Sequence, residues 1–154
     1  MKISYAITVC NEHKELDRLM SFLFEHKRQE DEVVVQMDKD NCTDEVWDVV
    51  EKYESKQASE YSNHSFPLDK NFAAYKNKLN SNCKGDWIFQ IDADEIPHET
   101  LIEYLPEIIL SNPYNEVIRV PRVNTVHGLT EEYVRQWRWN VNEKGWVNWP
   151  DFQW

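Results

Sequence analysis

The chain alternates short apolar segments of strand length with longer segments whose apolar residues recur every three or four positions. The first kind predicts β-strands, and the second predicts amphipathic helices. Strands are predicted at residues 3–9, 33–37, 86–91 and 116–123, and helices at about 16–27, 46–53, 71–82 and 98–110. Strands separated by helices form βαβ units, and strands that are apolar nearly throughout are covered on both faces. The alternation therefore predicts an α/β fold with a mostly parallel sheet flanked by helices on both faces.

Length and charge narrow the range of partners. With 154 residues the chain is long enough for one domain with a proper core, so residues 1–154 are predicted to form a single domain. The formal charge of -11 argues against nucleic acid or an anionic membrane as a partner, because both require a basic face. It does not exclude a nucleotide, because a bound divalent cation can neutralise a diphosphate. No apolar stretch approaches the length of a membrane span.

The chain contains three cysteines, an odd number without the spacing of a zinc site. Cys10, Cys42 and Cys83 therefore fit poorly with a disulfide framework, and a reducing cytosol is the simpler interpretation. The apolar run near the N-terminus lacks the length of a signal sequence and predicts a first strand instead. A cytoplasmic location is expected on these grounds.

Polar side chains cluster at the carboxyl ends of the predicted strands, where open α/β sheets bind their ligands. The residues that follow the first three strands are Asn11 and Glu12, Asp38 and Asp40, and Asp92, Asp94 and Glu95. Three strand ends therefore bring carboxylate and amide groups to one edge of the sheet. Such an edge repels a bare phosphate, but it suits a ribose or a base together with a metal ion that carries the phosphates.

The segment Asp92-Ala93-Asp94 places two carboxylates two positions apart, so that in extended chain both can face one ligand. Hard oxygen ligands of this kind suit Mg²⁺ or Mn²⁺, which would stabilise a departing diphosphate. The chain has 28 acidic residues, so chance pairs such as Asp38-Lys39-Asp40 occur, and a solvated turn is the ordinary interpretation of an isolated pair. The apolar strand before Asp92 favours function there. The glycine-rich motifs of dinucleotide dehydrogenases and P-loop NTPases are absent, as is the serine elbow of hydrolases.

Taken in order along the chain, several segments resemble family 2 glycosyltransferases of the GT-A fold. The resemblance is closest to the bacterial and phage branch with a D-A-D-E metal motif. The segments are ITVCNE at 7–12, VVVQMD at 33–38, NFAAYKN at 71–77, GDWIFQIDADE at 85–95 and WPD at 149–151. The resemblance implies transfer of a sugar, with inversion, from a nucleotide-diphosphate sugar to a hydroxyl of a glycan or other acceptor. It implies a UDP-sugar donor by preference, Mn²⁺ or Mg²⁺ as cofactor, and the cytoplasm of a bacterium or a phage-infected host.

The resemblance also implies roles for individual residues. Contacts to the nucleotide sugar are implied for Thr8, Asn11, Glu12, Asp38, Asp40, Lys70, Asn71, Asn77 and Asp92. Within that set, Asp38 would read the base, with Asp40 as the competing candidate. Asp92 would lie near the ribose and the metal ion, and Asp94 would be the direct metal ligand.

The general base of an inverting transfer is commonly an acidic residue downstream of the metal motif, and family members usually extend beyond residue 154. Within this chain Asp151 is the candidate base, although a turn residue is an equal interpretation, and Glu131, Glu132 and His127 are further candidates. Residues 124–154, where the strand–helix alternation weakens, are predicted to be an acceptor-side or truncated segment. Five tryptophans lie in this segment, namely Trp137, Trp139, Trp146, Trp149 and Trp154. They would form part of the core, a platform for the acceptor, or an exposed surface that promotes a homodimer.

Two other functions stay open at this point. A strand followed by Asp92-Ala93-Asp94 also resembles the nucleophile motif of haloacid-dehalogenase-like phosphatases, although that motif usually follows the first strand and continues with Thr or Val. A chain without its general base would instead be a non-catalytic nucleotide-sugar-binding fragment.

Overall fold

The computed structural model describes residues 1–57 and 59–153, and the side chains of all of these except Gln57 and Gln153. Trp154, one of the tryptophans named above, lies outside the described residues. The chain divides into two compact units, Met1–Ser111 and a second unit that begins at Asn112, and each unit has its own sheet. No helix in the described ranges is both long enough and apolar enough to cross a membrane.

The first unit consists of four parallel strands joined by helices. Its elements in chain order are β1 (Ile3–Val9), α1 (His13–His26), β2 (Glu32–Asp38), α2 (Asp44–Gln57), β3 (Tyr61–Phe66), α3 (Phe72–Asn82), β4 (Trp87–Asp92) and α4 (Glu99–Leu110). The strand order is β3-β2-β1-β4, and each neighbouring pair is parallel. This arrangement confirms the predicted α/β fold with a mostly parallel sheet.

The direction in which strands are added reverses once. From β1 the chain adds β2 and then β3 on one side, and α3 then leads back to β4 on the other side of β1. Because βαβ crossovers are right-handed, α1 and α2 cover one face and α3 covers the opposite face. α3 packs on β1, β2 and β3, and α4 packs beside α1. The carboxyl ends of β1 and β4 therefore border a crevice at the switch point, where sheets of this kind bind ligands.

The centre of the sheet is buried, and most of the side chains that line its two faces are apolar. β1 and β2 are buried over almost their whole length. On the face that α3 covers, Leu79 packs with Ala6 of β1 and Val34 of β2, and all three are fully buried. Two of the three strands whose carboxyl ends carry the predicted site, β1 and β2, are thus fixed by the core.

The strand β3 departs from the prediction, which places no strand between the second and third helices. Its sequence is YSNHSF, and Tyr61 is its one buried residue. As an outer strand, β3 pairs only with β2 and needs few apolar side chains. A search for apolar runs therefore passes over it.

The second unit contains β5 (Val120–Asn124), α5 (Glu131–Gln136) and β6 (Val147–Gln153). β5 and β6 pair in antiparallel fashion, with an irregular register between Arg122 and Asn124. The strand predicted at 116–123 therefore begins later than expected, and α5 and β6 are not among the predictions. Val147 is the one buried apolar residue that the described part of this unit contributes, so apolar periodicity carries little information here.

The amino-terminal edge of the first sheet is held by the buried carboxylate of Glu32. It accepts hydrogen bonds from Lys2 Nζ (2.6 Å), Ser4 Oγ (2.6 Å) and the backbone N of Lys84. Burial alone would raise the pKa of Glu32, but these hydrogen bonds outweigh burial and hold the pKa below its ordinary value. The network ties β1, β2 and the segment before β4 together at the edge opposite the crevice.

Gly85 lies inside this network and has no room for a side chain. Its N donates to Ser4 Oγ at 2.8 Å, and a Cβ would lie 2.7 Å from Ser4 N and 2.9 Å from Lys2 O. Because those two contacts are to backbone atoms, Gly85→Ala must displace a strand end, and we expect the free energy of unfolding to fall by about 1–3 kcal/mol. Urea denaturation measures the change, with Lys84→Ala, an exposed neighbour that keeps its backbone N–H, as the control. An unchanged free energy of unfolding for Gly85→Ala would contradict the close approach of these segments.

Candidate functional site

Three side chains meet where β1 and β4 end. Thr8 and Asp92 are register partners on these neighbouring strands, and Thr8 Oγ1 donates to Asp92 Oδ1 at 2.9 Å. Lys76 Nζ, from α3, lies 2.8 Å from Asp92 Oδ1 and 3.1 Å from Thr8 Oγ1. The side chains of Lys76 and Asp92 are 27% and 44% exposed, so the ion pair is accessible to a ligand. Two residues predicted from the sequence are thus joined by a third, Lys76, that was not predicted, and together they form the Thr8–Lys76–Asp92 cluster.

The packing of α3 explains why Lys76 points into the cluster. Tyr75 and Leu79 are buried against the sheet, which turns the adjacent positions 76 and 80 toward β4. One turn after Lys76, Asn80 Oδ1 accepts from Gln90 Nε2 of β4 at 2.7 Å. The sequence therefore does contain a signal for Lys76. This lysine lies next to the buried residues of a helix, and that helix leads to the strand that ends in the aspartates.

The turn after β4 fixes its two aspartates differently. Ala93 N donates to Thr8 O at 3.2 Å, which extends the pairing of β1 with β4, and Glu95 N donates to Asp92 O at 2.9 Å. The Glu95 carboxylate folds back and accepts from Asp92 N at 3.1 Å. Ala93 is buried, whereas Asp94 is exposed. The turn therefore directs Asp94 to solvent at the carboxyl edge, while Asp92 remains in the cluster.

The end of β2 presents one buried and one exposed aspartate. Asp38 is 4% exposed, and its Oδ2 accepts from Asn41 Nδ2 at 2.8 Å. Its Oδ1 accepts from Asp40 N at 3.3 Å and from Leu68 N at 3.4 Å. These bonds order the loop between β2 and α2 and join it to the segment after β3. Asp38 is thus held at the strand end, whereas the side chain of Asp40 lies in the exposed part of the turn.

At the end of β1, the Glu12 carboxylate turns back onto its own backbone. Glu12 Oε2 accepts from the backbone N of Cys10 and of Asn11, at 3.0 Å in each case. The side chain of Asn11 is exposed. Burial, followed by the negative charges of Asp38 and Glu12, raises the pKa of the Cys10 thiol. This part of the edge is therefore electronegative, and Lys76 brings a positive charge to it.

The residues that lead into α3 lie at the same carboxyl edge. Asn71 is the N-cap of α3, and its Oδ1 accepts from Ala74 N at 3.0 Å. Asp69 and Lys70 have positive φ angles of 42° and 54°, a conformation that non-glycine residues adopt rarely and that is enriched at ligand sites. Lys70 and Asn77 are exposed, and in the described part of the chain no hydrogen bond joins either one to the cluster.

The carboxylates at the end of β4 fit a divalent cation that is shared with a ligand. Among residues 1–57 and 59–153, no group of three or more His, Cys, Asp or Glu side chains could hold a metal ion. Asp94 is exposed, and the Asp92 side chain is 44% exposed, so both carboxylates are accessible at the end of β4. Mg²⁺ is usually bound by one or two carboxylates, with phosphate oxygens and water completing its coordination. The donor set fits such a cation when a phosphate ligand is present.

Asp151, the predicted general base, lies in the second unit on β6. It is the register partner of Arg122 on β5, and its Oδ2 accepts from Arg122 Nη2 at 2.6 Å and Nε at 3.1 Å. Asn124 Nδ2 donates to the same oxygen at 3.0 Å. Hydrogen bonds from Asn124 and Arg122 lower the pKa of Asp151, which weakens it as a proton acceptor. Its role as a base stays a prediction, and the cross-strand ion pair gives the same carboxylate a structural role.

The other candidate bases, Glu131, Glu132 and His127, are exposed. The two glutamates occupy the first turn of α5, whose N-cap Thr130 accepts from Tyr133 N at 3.3 Å. Carboxylates are stabilised near a helix N-terminus, so their position has a structural explanation. Their assignment as bases stays a prediction.

The four described tryptophans of the second unit lie in two pairs. The ring centroids of Trp137 and Trp139 lie 6.3 Å apart, and those of Trp146 and Trp149 lie 4.9 Å apart. Trp137 and Trp149 remain 61% and 39% exposed. The acceptor platform and the homodimer both stay predictions.

Comparison with known proteins adds a family and a fold. The family model described as glycosyl transferase family 2 matches residues 4–150. No curated protein matches the sequence significantly. The crystal structure of S. aureus TarS 1–349 is similar, with a TM-score of 0.67 and 20% identity over 84% of this chain and 38% of that chain.

Two further crystal structures of the same protein are similar over the same share of this chain. TarS 1–349 in complex with UDP has a TM-score of 0.63 and 21% identity, and the match covers 84% of this chain and 38% of the TarS chain. TarS 1–349 in complex with UDP-GlcNAc has a TM-score of 0.64 and 21% identity, with coverage of 84% and 36%. The chain thus spans well under half the length of TarS 1–349. At this identity the likeness establishes a shared fold.

Proposed function

This chain belongs to glycosyl transferase family 2, and from that premise we propose that its first unit binds a nucleotide-diphosphate sugar as a glycosyl donor. A UDP-sugar is the preferred donor, and the acceptor is a hydroxyl of a glycan or another molecule. The choice of UDP is supported by TarS 1–349, which has the same fold and is described in complex with UDP and with UDP-GlcNAc.

The observation that carries the proposal is the Thr8–Lys76–Asp92 cluster at the switch point of the sheet. Lys76 offers a positive charge to a phosphate in a chain whose formal charge is -11, and lysine commonly binds phosphates as a point charge. The Thr8 hydroxyl and the carboxylates of Asp92 and Asp38 can form hydrogen bonds with a ribose or a base. A lysine among carboxylates suits a diphosphate that binds together with a metal ion.

We assign the other donor contacts to polar residues after β1, at and after the end of β2, directly before α3 and within α3. These residues are Asn11, Glu12, Asp38, Asp40, Lys70, Asn71 and Asn77. Of the two base-reading candidates, Asp38 has a buried carboxylate that is held at the end of β2 by Asn41 and by the backbone of the adjacent loops, whereas the side chain of Asp40 is exposed.

Asp94, with Asp92 beside it, would hold Mn²⁺ or Mg²⁺ together with the two phosphates. When bound, such a cation supplies positive charge that stabilises the diphosphate as it leaves. Asp94 is exposed and therefore accessible as a direct ligand, whereas Asp92 is oriented by Thr8 and Lys76. Lys76 would balance the remaining charge of the diphosphate.

Transfer with inversion requires a base, because the acceptor hydroxyl attacks the anomeric carbon on the face opposite the diphosphate and loses its proton. We assign this role to Asp151, whose carboxylate is oriented by Arg122 and Asn124. The same contacts lower the pKa of Asp151 and so reduce its proton affinity. This observation favours, as a second candidate function, donor binding without transfer.

The phosphatase alternative gains no support from the topology. Asp92 ends β4, which follows three earlier strands along the chain, whereas the phosphatase motif usually follows the first strand. The match to the glycosyltransferase family extends over residues 4–150 and includes this segment.

Calorimetric titration of UDP into the protein tests the proposal. We expect binding with Mn²⁺ and at least about tenfold weaker binding with EDTA, because the carboxylates repel a diphosphate that lacks its cation. Mn²⁺ alone should bind weakly, because the proposed site offers the cation only the carboxylates of Asp92 and Asp94.

Equal UDP affinity with Mn²⁺ and with EDTA would contradict the metal dependence, and absence of binding in both would contradict the donor site. Release of UDP from UDP-GlcNAc only when a hydroxyl acceptor is present would establish transfer. Binding without such release would favour the second candidate function.

A further inference from the structure

The first residue of α3 carries a large apolar side chain that the fold leaves uncovered. Phe72 is 66% exposed, although Tyr75 and Leu79 on the same helix are buried. Phe72 follows the N-cap Asn71 and lies four positions before Lys76, so Phe72 and Lys76 share one face of α3. The exposed ring is therefore on the side of the helix that forms the Thr8–Lys76–Asp92 cluster.

Two contacts between α3 and β4 establish the level of Phe72 along the crevice. Asn80 of α3 is hydrogen-bonded to Gln90 of β4. Lys76, one helical turn before Asn80, is paired with Asp92, which lies two residues after Gln90 on the strand. The two elements run in opposite directions, and four residues of helix advance by about 6 Å, nearly the same as two residues of strand. The next step of this series places Phe72 about 6 Å beyond Asp92 along the direction of β4, at the carboxyl edge of the sheet.

We propose that the Phe72 ring forms an aromatic wall of the donor crevice and packs against a ring of the bound nucleotide sugar. This inference rests on the proposed function and adds a contact residue to it. Aromatic side chains stack on nucleobases and on other flat apolar ring faces, and they lose exposed apolar area when they do so. The position of Phe72 beside polar cluster residues gives the crevice an apolar surface that the carboxylates and Lys76 do not provide.

The test compares wild-type protein with Phe72→Ala by calorimetry in Mn²⁺, with UDP and with UDP-GlcNAc as separate ligands. We expect Phe72→Ala to weaken binding about tenfold, and Phe72→Trp to retain affinity because it keeps an aromatic face. Tyr104→Ala is the matched control, since Tyr104 is an aromatic residue on α4 that is 48% exposed. The midpoint of thermal unfolding should stay unchanged in Phe72→Ala, because the ring buries little area in the free protein.

The two ligands identify the ring that Phe72 contacts. An equal loss for UDP and UDP-GlcNAc means contact with the nucleobase, and a loss confined to UDP-GlcNAc means contact with the sugar. Unchanged affinity of Phe72→Ala for both ligands, with wild-type protein binding UDP, overturns this inference and leaves the proposed function intact. Absence of UDP binding by the wild-type protein overturns the proposed function as well.

Discussion

Asp94→Ala is expected to weaken UDP binding in Mn²⁺ at least about tenfold, down to the affinity measured in EDTA, because losing a direct ligand should cost at least as much as losing an outer-shell partner of a metal site. Asp94 is exposed in the turn after β4, so the substitution removes one of two carboxylates for the cation without opening a cavity. The remaining carboxylate, Asp92, already accepts hydrogen bonds from Thr8 and Lys76. Calorimetry with and without Mn²⁺ measures the effect, and the two values for the variant should converge.

A second carboxylate serves as the matched control for Asp94→Ala. Asp48 is an exposed aspartate on α2, and Asp48→Ala makes the same change in net charge away from the carboxyl edge. It should leave UDP affinity unchanged. If Asp94→Ala retained wild-type affinity with a full response to Mn²⁺, Asp94 would not be a metal ligand.

Lys76→Met is expected to weaken UDP binding by about 10- to 100-fold, because a hydrogen bond to a charged group contributes about 1.5–3 kcal/mol. Methionine preserves the length and the apolar stem of lysine and removes only the ammonium group. In the free protein that group lies 2.8 Å from Asp92 Oδ1, so the substitution also removes the cation that orients Asp92. Calorimetry in Mn²⁺ gives the affinity, and thermal unfolding checks that the fold is retained.

Lys78→Met is the control for Lys76→Met, because Lys78 is an exposed lysine on the same helix. Lys76→Arg should recover most of the affinity, since it restores a positive charge that can reach a phosphate. Equal affinities for Lys76→Met and Lys78→Met would mean that the cluster does not contact the donor. A weaker response to Mn²⁺ in Lys76→Met would show that part of the loss arises through Asp92.

The elements that the sequence predicts well are those whose residues form long apolar runs or a helical apolar pattern. β1 and β2 are apolar runs inside the core, β4 is an apolar run at the edge of the sheet, and the helix at 71–82 is found as α3 with nearly the same bounds. The apolar pattern does not predict β3, because this outer strand, with the sequence YSNHSF, has little apolar area to bury. In the second unit, β5 contains Pro121 and β6 contains Pro150, and proline is more typical of turns and of strand edges than of strand centres.

The sequence predicts which strand ends carry the candidate site, but it predicts less well which side chains contact one another there. The topology brings Thr8 and Asp92 side by side because they end neighbouring parallel strands. The direction of a side chain within a loop depends on local hydrogen bonds that periodicity does not encode. Glu12 therefore turns to its own backbone, and Lys76 enters the site because the buried face of α3 determines its direction.

The Glu32 network sits at the far end of the strands from the crevice, and this separation has a practical consequence for protein engineering. The bonds that clamp β1, β2 and the approach to β4 lie among Lys2, Ser4, Glu32 and Lys84. Heat tolerance can therefore be adjusted at one rim of the sheet while ligand selectivity is redesigned at the other. Stability and selectivity can be changed separately because every strand of a parallel sheet begins at the first rim and ends at the second.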